Sequence, residues 1–220
     1  MTSRNQYRRS SLDGVEQLAP YAGMQALYGD IHNHCGISYA HGSLEEALLN
    51  EEERLDFCSV TGHAFWPDMP ETDERNKHII AFHKEGFEKL SNLWPEALKT
   101  FAAHHVEGEF VTFPGFEMHS DKYGDHTIMY RDHQGEVLYS EGLPDLKRRI
   151  AELEKQGVHA LAFPHHIGYK RGQRGINWEA FTPDYTPVVE IISMHGCSER
   201  DEAPHPFLHT MGPADHESTM

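Results

Sequence analysis

His32 and His34 form an H-x-H pair in ALYGDIHNH (26–34). In an extended strand, residues i and i+2 point to one face. The spacing therefore puts two imidazoles where they can share one metal ion, and Asp30 is placed to orient one of them. Other chemistry-bearing residues recur at the borders of short apolar runs. They are His63 in LDFCSVTGH (55–63), Glu117 in FVTFPGFEMH (110–119), His126 opening HTIMY (126–130), and His165 and His166 closing HALAFPHH (159–166). His41 lies in the YAHGS loop, at the strand end from which it can reach the same place. Several imidazoles around one carboxylate suit Zn²⁺, Mn²⁺ or Fe²⁺ better than Ca²⁺, which prefers oxygen shells. One carboxylate can also bridge two ions about 3.5–4 Å apart, as in many sites that cleave phosphoesters. Plainer roles exist for the same residues. With 18 His in the chain, H-x-H arises readily as a surface pair on an edge strand, and His41 serves equally as a solvated loop residue.

The five runs above and VVEIISMH (188–195) read as buried strands, short and bounded by turn residues. Helices fit between several of them. SLEEALLNEEERL (43–55) opens with a Ser43/Glu46 capping box. ETDERNKHIIAFHKEGFEKLSNLW (71–94) has helical period, and Pro95 suits the first turn of a further helix reaching about His104. In 144–157, Leu146, Ile150 and Leu153 continue a stripe begun at Leu143, and Gly157 suits the helix stop. Strand-helix alternation predicts an α/β fold with a mainly parallel sheet. A barrel fits best, because barrels collect functional residues at the C-terminal strand ends, where these histidines gather.

The chain has 220 residues, 38% hydrophobic and 25% charged, enough for a folded core. Its net charge of -16 argues against a nucleic-acid-binding surface. No run approaches the roughly 20 apolar residues of a membrane span. The basic N-terminus has no apolar centre, so residues 1–20 are expected as a loose polar arm and 21–220 as one domain. Cys35, Cys58 and Cys197 form no disulfide framework or metal clip, which predicts reduced thiols in the cytoplasm.

The order DIHNH…SVTGH…PGFE…GDHTIMY…FPHH resembles the PHP family, named for polymerase and histidinol phosphatase domains, over about residues 26–196. The resemblance implies a distorted TIM-like (βα)7 barrel with a two- or three-metal centre at its C-terminal mouth. It also implies hydrolysis of phosphoesters. The paired histidines of the family's first motif match His32 and His34, and its second motif matches Thr61-Gly62-His63, with Gly in place of the usual Asp. The bridging Glu matches Glu117, and the later histidines match His126 and His165, the latter better than His166. His41 is the candidate for the ligand shortly after the first motif. The family's closing Asp-x-His has no counterpart, since Asp215-His216 are adjacent and lie in a polar tail. The expectation is therefore a chain with six strands of seven, ending before the last.

The implied mechanism is metal-assisted hydrolysis. Ions at His32, His34, His63 and Glu117 would activate water, and a further ion near His126 and His165 would bind the anionic oxygens of a small phosphoester. Glu117 is then catalytic, and His195 a substrate contact or proton donor. Lys170, Arg171 and Arg174 in GYKRGQRG are candidates for an oxyanion clamp, or for a solvated loop. His78, His83, His104 and His105 read as helix-face residues, and His119 receives no role. Two rival classes remain. An amidohydrolase-type site also starts with H-x-H but often needs a strand-end Lys, and no run here ends in one. A non-catalytic histidine-rich metal-binding protein usually carries compact His tracts, whereas here they are dispersed.

Overall fold

A computed structural model describes residues 23–199. The expected arm over 1–20 and the Asp215-His216 pair lie outside the described residues. In chain order the elements are β1 (Gly29–Asn33), α1 (Leu44–Glu52), β2 (Phe57–Phe65), α2 (Lys77–His104), β3 (Val111–Thr112) and β4 (Gly115–Met118). There follow β5 (His126–Tyr130), α3 (Leu143–Glu154), β6 (Ala160–Pro164), β7 (Ile192–Ser193) and β8 (Gly196–Cys197).

The main sheet has the order β1-β2-β4-β5-β6, with β3 paired to β2, and it curls as a half-barrel. β1, β3 and β4 each pair parallel with β2. β5 runs antiparallel to both β4 and β6, so the sheet is mixed and not mainly parallel as the alternation predicts. The reason is the short link of residues 119–125 between β4 and β5. A parallel neighbour needs a crossover of about a dozen residues or more. Despite the reversal, register keeps the chemistry at one rim. His63 stands opposite Glu117, Met118 opposite His126, and His126 opposite Pro164, just before His165.

The sixth predicted strand is not part of this sheet. In 188–195 only Ile192–Ser193 is strand, and it folds back on Gly196–Cys197 as a small hairpin. Gly196, at φ 151, turns the chain there. The run touches the sheet through the Glu190 N–H, which donates to the Pro164 carbonyl.

The capping box of α1 is present. Ser43 Oγ accepts from the Glu46 N–H and Glu46 Oε2 accepts from the Ser43 N–H. α2 differs from its prediction: it starts later and runs as one helix through Pro95. Asp73 Oδ1 ties down the N–H groups of Arg75 and Asn76 in a turn before the helix. Pro95 removes one helical hydrogen bond and costs roughly 3 kcal/mol. Ile80, Leu90, Trp94, Ala97 and Phe101 are buried on both sides of it. At about 1.5–3 kcal/mol per large side chain, that face outweighs the break. In α3, Leu143, Leu146 and Ile150 are buried, and Gly157 adopts φ 82 just beyond the end.

The core joins these helices to Cys58, Val60, Phe116, Met118 and Ile128 of the sheet. Gly62 is part of that packing. A Cβ there would stand 2.8 Å from Leu90 Cδ1 of α2 and 3.2 Å from Ile37, so any side chain at this position, and an Asp above all, would push both neighbours aside. No helix among the described residues is long and apolar enough to cross a membrane.

Candidate metal centre

Glu117, in the short strand β4, has a fully buried carboxylate. Thr61 and His63, alternate residues of β2, both reach it. Thr61 Oγ1 donates to Oε1 at 2.9 Å, and His63 Nδ1 stands 3.1 Å from Oε2. From β1 and its end, His32 Nε2 and His34 Nε2 approach Oε1 at 3.1 and 3.3 Å. His165 Nε2, just past β6, lies 3.3 Å from Oε2. Four imidazoles from three strand ends thus converge on one carboxylate.

The electrostatics follow from that convergence. Burial alone would raise the Glu117 pKa, but His34, His63, His165 and His32 outweigh it and hold the carboxyl well below its usual range. Burial pulls His32 down, yet Glu117 on one side and Glu190 on the other lift it to about 10. Burial, only partly offset by Glu117, takes His34 down to about 4. His32, between two carboxylates, is thus held toward its protonated form.

The donor set fits a divalent ion. Two donors bound to one ion at about 2.0–2.2 Å, at tetrahedral or octahedral angles, stand about 2.8–3.6 Å apart. The Glu117–imidazole separations of 3.1–3.3 Å lie in that range. Glu117 Oε2, His34 Nδ1 and His165 Nε2 are buried and make no well-aligned hydrogen bond, although Glu117 Oε2 and His165 Nε2 lie 3.3 Å apart. Such groups call for an explanation, and a divalent ion bound among them would supply one. Two groups have ligand atoms mutually close enough to hold a metal, His32-His34-Glu117 and His32-His165-His166. His32 belongs to both. Its ring is set by Glu190, which takes the Nδ1–H on Oε2 while Oε1 accepts the His166 backbone N–H.

A second network backs His63. His63 Nδ1 is 2.9 Å from His119 Nε2, and His119 Nδ1 is 3.2 Å from Asp125 Oδ2. Arg174 closes the line with Nε and Nη2 on the two Asp125 oxygens, at 3.1 and 2.5 Å. Its guanidinium lies over Trp66. Burial and Arg174 keep His119 neutral, with its pKa well below the usual value. Tyr39 OH stands 3.2 Å from His83 Nδ1 and 3.4 Å from His119 Nε2. His83, expected simply as a helix-face residue away from the site, is thus on the helix but buried at the margin of the site.

The remaining sequence candidates fall as follows. His126 is buried at the same rim and donates its Nδ1–H to the Gly124 carbonyl at 2.9 Å, leaving the lone pair on Nε2. His41 is exposed and shares with His34 an open depression of about 540 Å³. His195 sits in the β7–β8 turn with its ring 4.5 Å from that of His166, and not at a sheet-strand end. The three basic residues do not converge. Lys170 is exposed, Arg171 pairs with Glu179 at 2.6 Å on the surface, and Arg174 is committed to Asp125.

Sequence reasoning passed over His119 and Asp125, ranked His166 behind His165, and gave Glu190 no part. The i, i+2 rule applied to H-x-H would have flagged Glu117-x-His119 as well. Glu190 had no such signal, because its partners come from strands far away in sequence. Compared with family models and with curated proteins, the chain matches neither a family model nor a curated sequence.

Proposed function

We propose that this chain is a metal-dependent hydrolase of small phosphoesters, built as a partial barrel of the PHP kind. The observation that carries this is the buried Glu117 carboxylate, faced by four imidazole nitrogens at 3.1–3.3 Å with buried groups that make no well-aligned hydrogen bond. His32, His34 and Glu117 would hold the ion, with His63 and His165 on the second carboxylate oxygen. A bound divalent ion supplies Lewis acidity and acidifies water near neutral pH. The chain's own residues do the rest. Thr61 fixes the Glu117 carboxylate, Glu190 fixes the His32 ring, and Asp125 with His119 backs His63. His34 has the most open side chain of the set at 24% exposure, so substrate approaches through the depression it shares with His41. Cys35, Cys58 and Cys197 are all free thiols, in keeping with the cytoplasmic setting we assign.

The test is reconstitution of the metal-free chain with Zn²⁺ or Mn²⁺, followed by turnover of p-nitrophenyl phosphate and a panel of sugar and nucleoside phosphates. Glu117→Gln is expected to lose both tight metal binding and turnover, by at least 100-fold each. One observation favours a second reading, a metal-binding protein without turnover. Arg171 and Arg174 are already paired with Glu179 and Asp125, which leaves neither arginine open for an oxyanion. Stoichiometric tight metal without turnover on any of these esters would select that reading.

A further inference from the structure

We propose that Tyr39 is a positioning residue for His63: its ring, seated in a notch of α2 at Gly86, fixes the plane of the His63 imidazole. This rests on the reading of Glu117 and its histidines as a metal centre, and gives a role to two residues outside that set.

The first observation is a stack. The centroids of the Tyr39 and His63 rings lie 4.0 Å apart, and the rings are 11° from parallel. His63 needs a contact of this kind. Its Nδ1 meets both Glu117 Oε2, at 3.1 Å, and His119 Nε2, at 2.9 Å, so its edge contacts gather at one ring atom. A ring held at one atom can still tilt about it. An imidazole binds a metal through a lone pair in the plane of the ring, so a tilt turns that lone pair away from the ion. The flat face of Tyr39 blocks the tilt. The His34 ring lies 4.5 Å from that of His63 and 6° from parallel, so three rings share nearly one orientation. The neighbouring Ser38 holds the backbone, its Oγ accepting the His63 N–H at 3.3 Å.

The second observation is how Tyr39 is itself held. Its hydroxyl lies between His83 Nδ1 and His119 Nε2, at 3.2 and 3.4 Å, and the Phe82 ring packs 4.5 Å away. Its ring fills a notch left by Gly86. A Cβ there would stand 2.2 Å from Tyr39 Cδ1, and the three atoms it would meet first all belong to the Tyr39 ring. Gly86 is buried within α2, where glycine weakens a helix relative to alanine. The fit of Tyr39 gives the reason for a glycine at that position. The line from Gly86 through Tyr39 to His63 carries the position of α2 to the centre.

The experiment is Co²⁺ titration of the metal-free full chain, read as visible absorption and as affinity. The absorption reports the ligands and geometry around the ion. The wild type is expected to give a saturable band. Tyr39→Phe keeps the stack and removes the hydroxyl, and should give the same band and affinity. Tyr39→Leu removes the flat face, and should shift the band and weaken binding by at least about tenfold, as loss of a ligand-orienting group does. Gly86→Ala should do the same from the side of α2, although alanine favours the helix. It serves alone if Tyr39→Leu disturbs the metal-free melting curve. Added to His63→Ala, Tyr39→Leu should cause no further loss, because one residue acts through the other. A wild-type band and affinity in Tyr39→Leu or Gly86→Ala would overturn the proposal. So would an undiminished loss on top of His63→Ala, or a Tyr39→Phe chain as impaired as Tyr39→Leu. Each of these leaves the Glu117 centre standing. No Co²⁺ band in the wild type would overturn the centre itself, and the role of Tyr39 with it.

Discussion

At the scale of the residue, the centre depends on groups that make Glu117 hold still while it stays charged. Thr61 is one of them, donating to Oε1 at 2.9 Å from a fully buried position. A hydrogen bond to a charged group is worth about 1.5–3 kcal/mol. Thr61→Val keeps the shape and deletes the donor. It is expected to lower the stability of the metal-free chain by about that amount in urea unfolding, with Thr61→Ser recovering most of it. Much at this scale was legible in the sequence. His32, His34, His63, Glu117 and His165 were picked out by strand-end position and spacing, and all meet at one carboxylate. His119, Asp125 and Glu190 were not, because their partners come from a turn, a reversed strand and an irregular segment.

At the scale of the element, packing decided what periodicity left open. α2 continues through Pro95 because one buried face runs along both sides of it. The same helix explains Gly62, whose missing side chain admits Leu90 and Ile37. Overpacking of this kind costs about 1–3 kcal/mol, so Gly62→Ala should destabilise by that much in chemical unfolding. α2 also carries His83. Burial and the Arg174 charge lower its pKa to about 4. An unfolded histidine titrates near about 6.5, so between these values the unfolded chain binds the extra proton. Stability from this group is complete above about pH 6.5 and is lost as pH falls toward about 4. His83→Gln should therefore show a shallower acid loss than the wild type over that window, read as melting temperature against pH. The reversal of β5 was hidden for a different reason: strand direction depends on connection length, and only the structure shows that residues 119–125 make the whole link.

At the scale of the whole molecule, an ion that binds only the folded chain adds to its stability by mass action. At a hundredfold excess over the dissociation constant the gain is about 2.7 kcal/mol. For a chain of this size that is a rise of roughly 5–10 °C in melting temperature. Zn²⁺ should produce it, a chelator should reverse it, and Glu117→Gln should show none of it. The turn of direction at β5 adds a consequence for cooperativity. It divides the sheet into a parallel part, which supplies His32, His34 and His63, and an antiparallel part that leads to His165, with Glu117 on the strand between them. An ion held by residues from both parts acts as a cross-link over that seam. Without it the two parts can open separately and exchange their amide hydrogens at separate rates. With it they would be bound into a single opening unit, and a bound ion would then set how much of the protein must come apart at once.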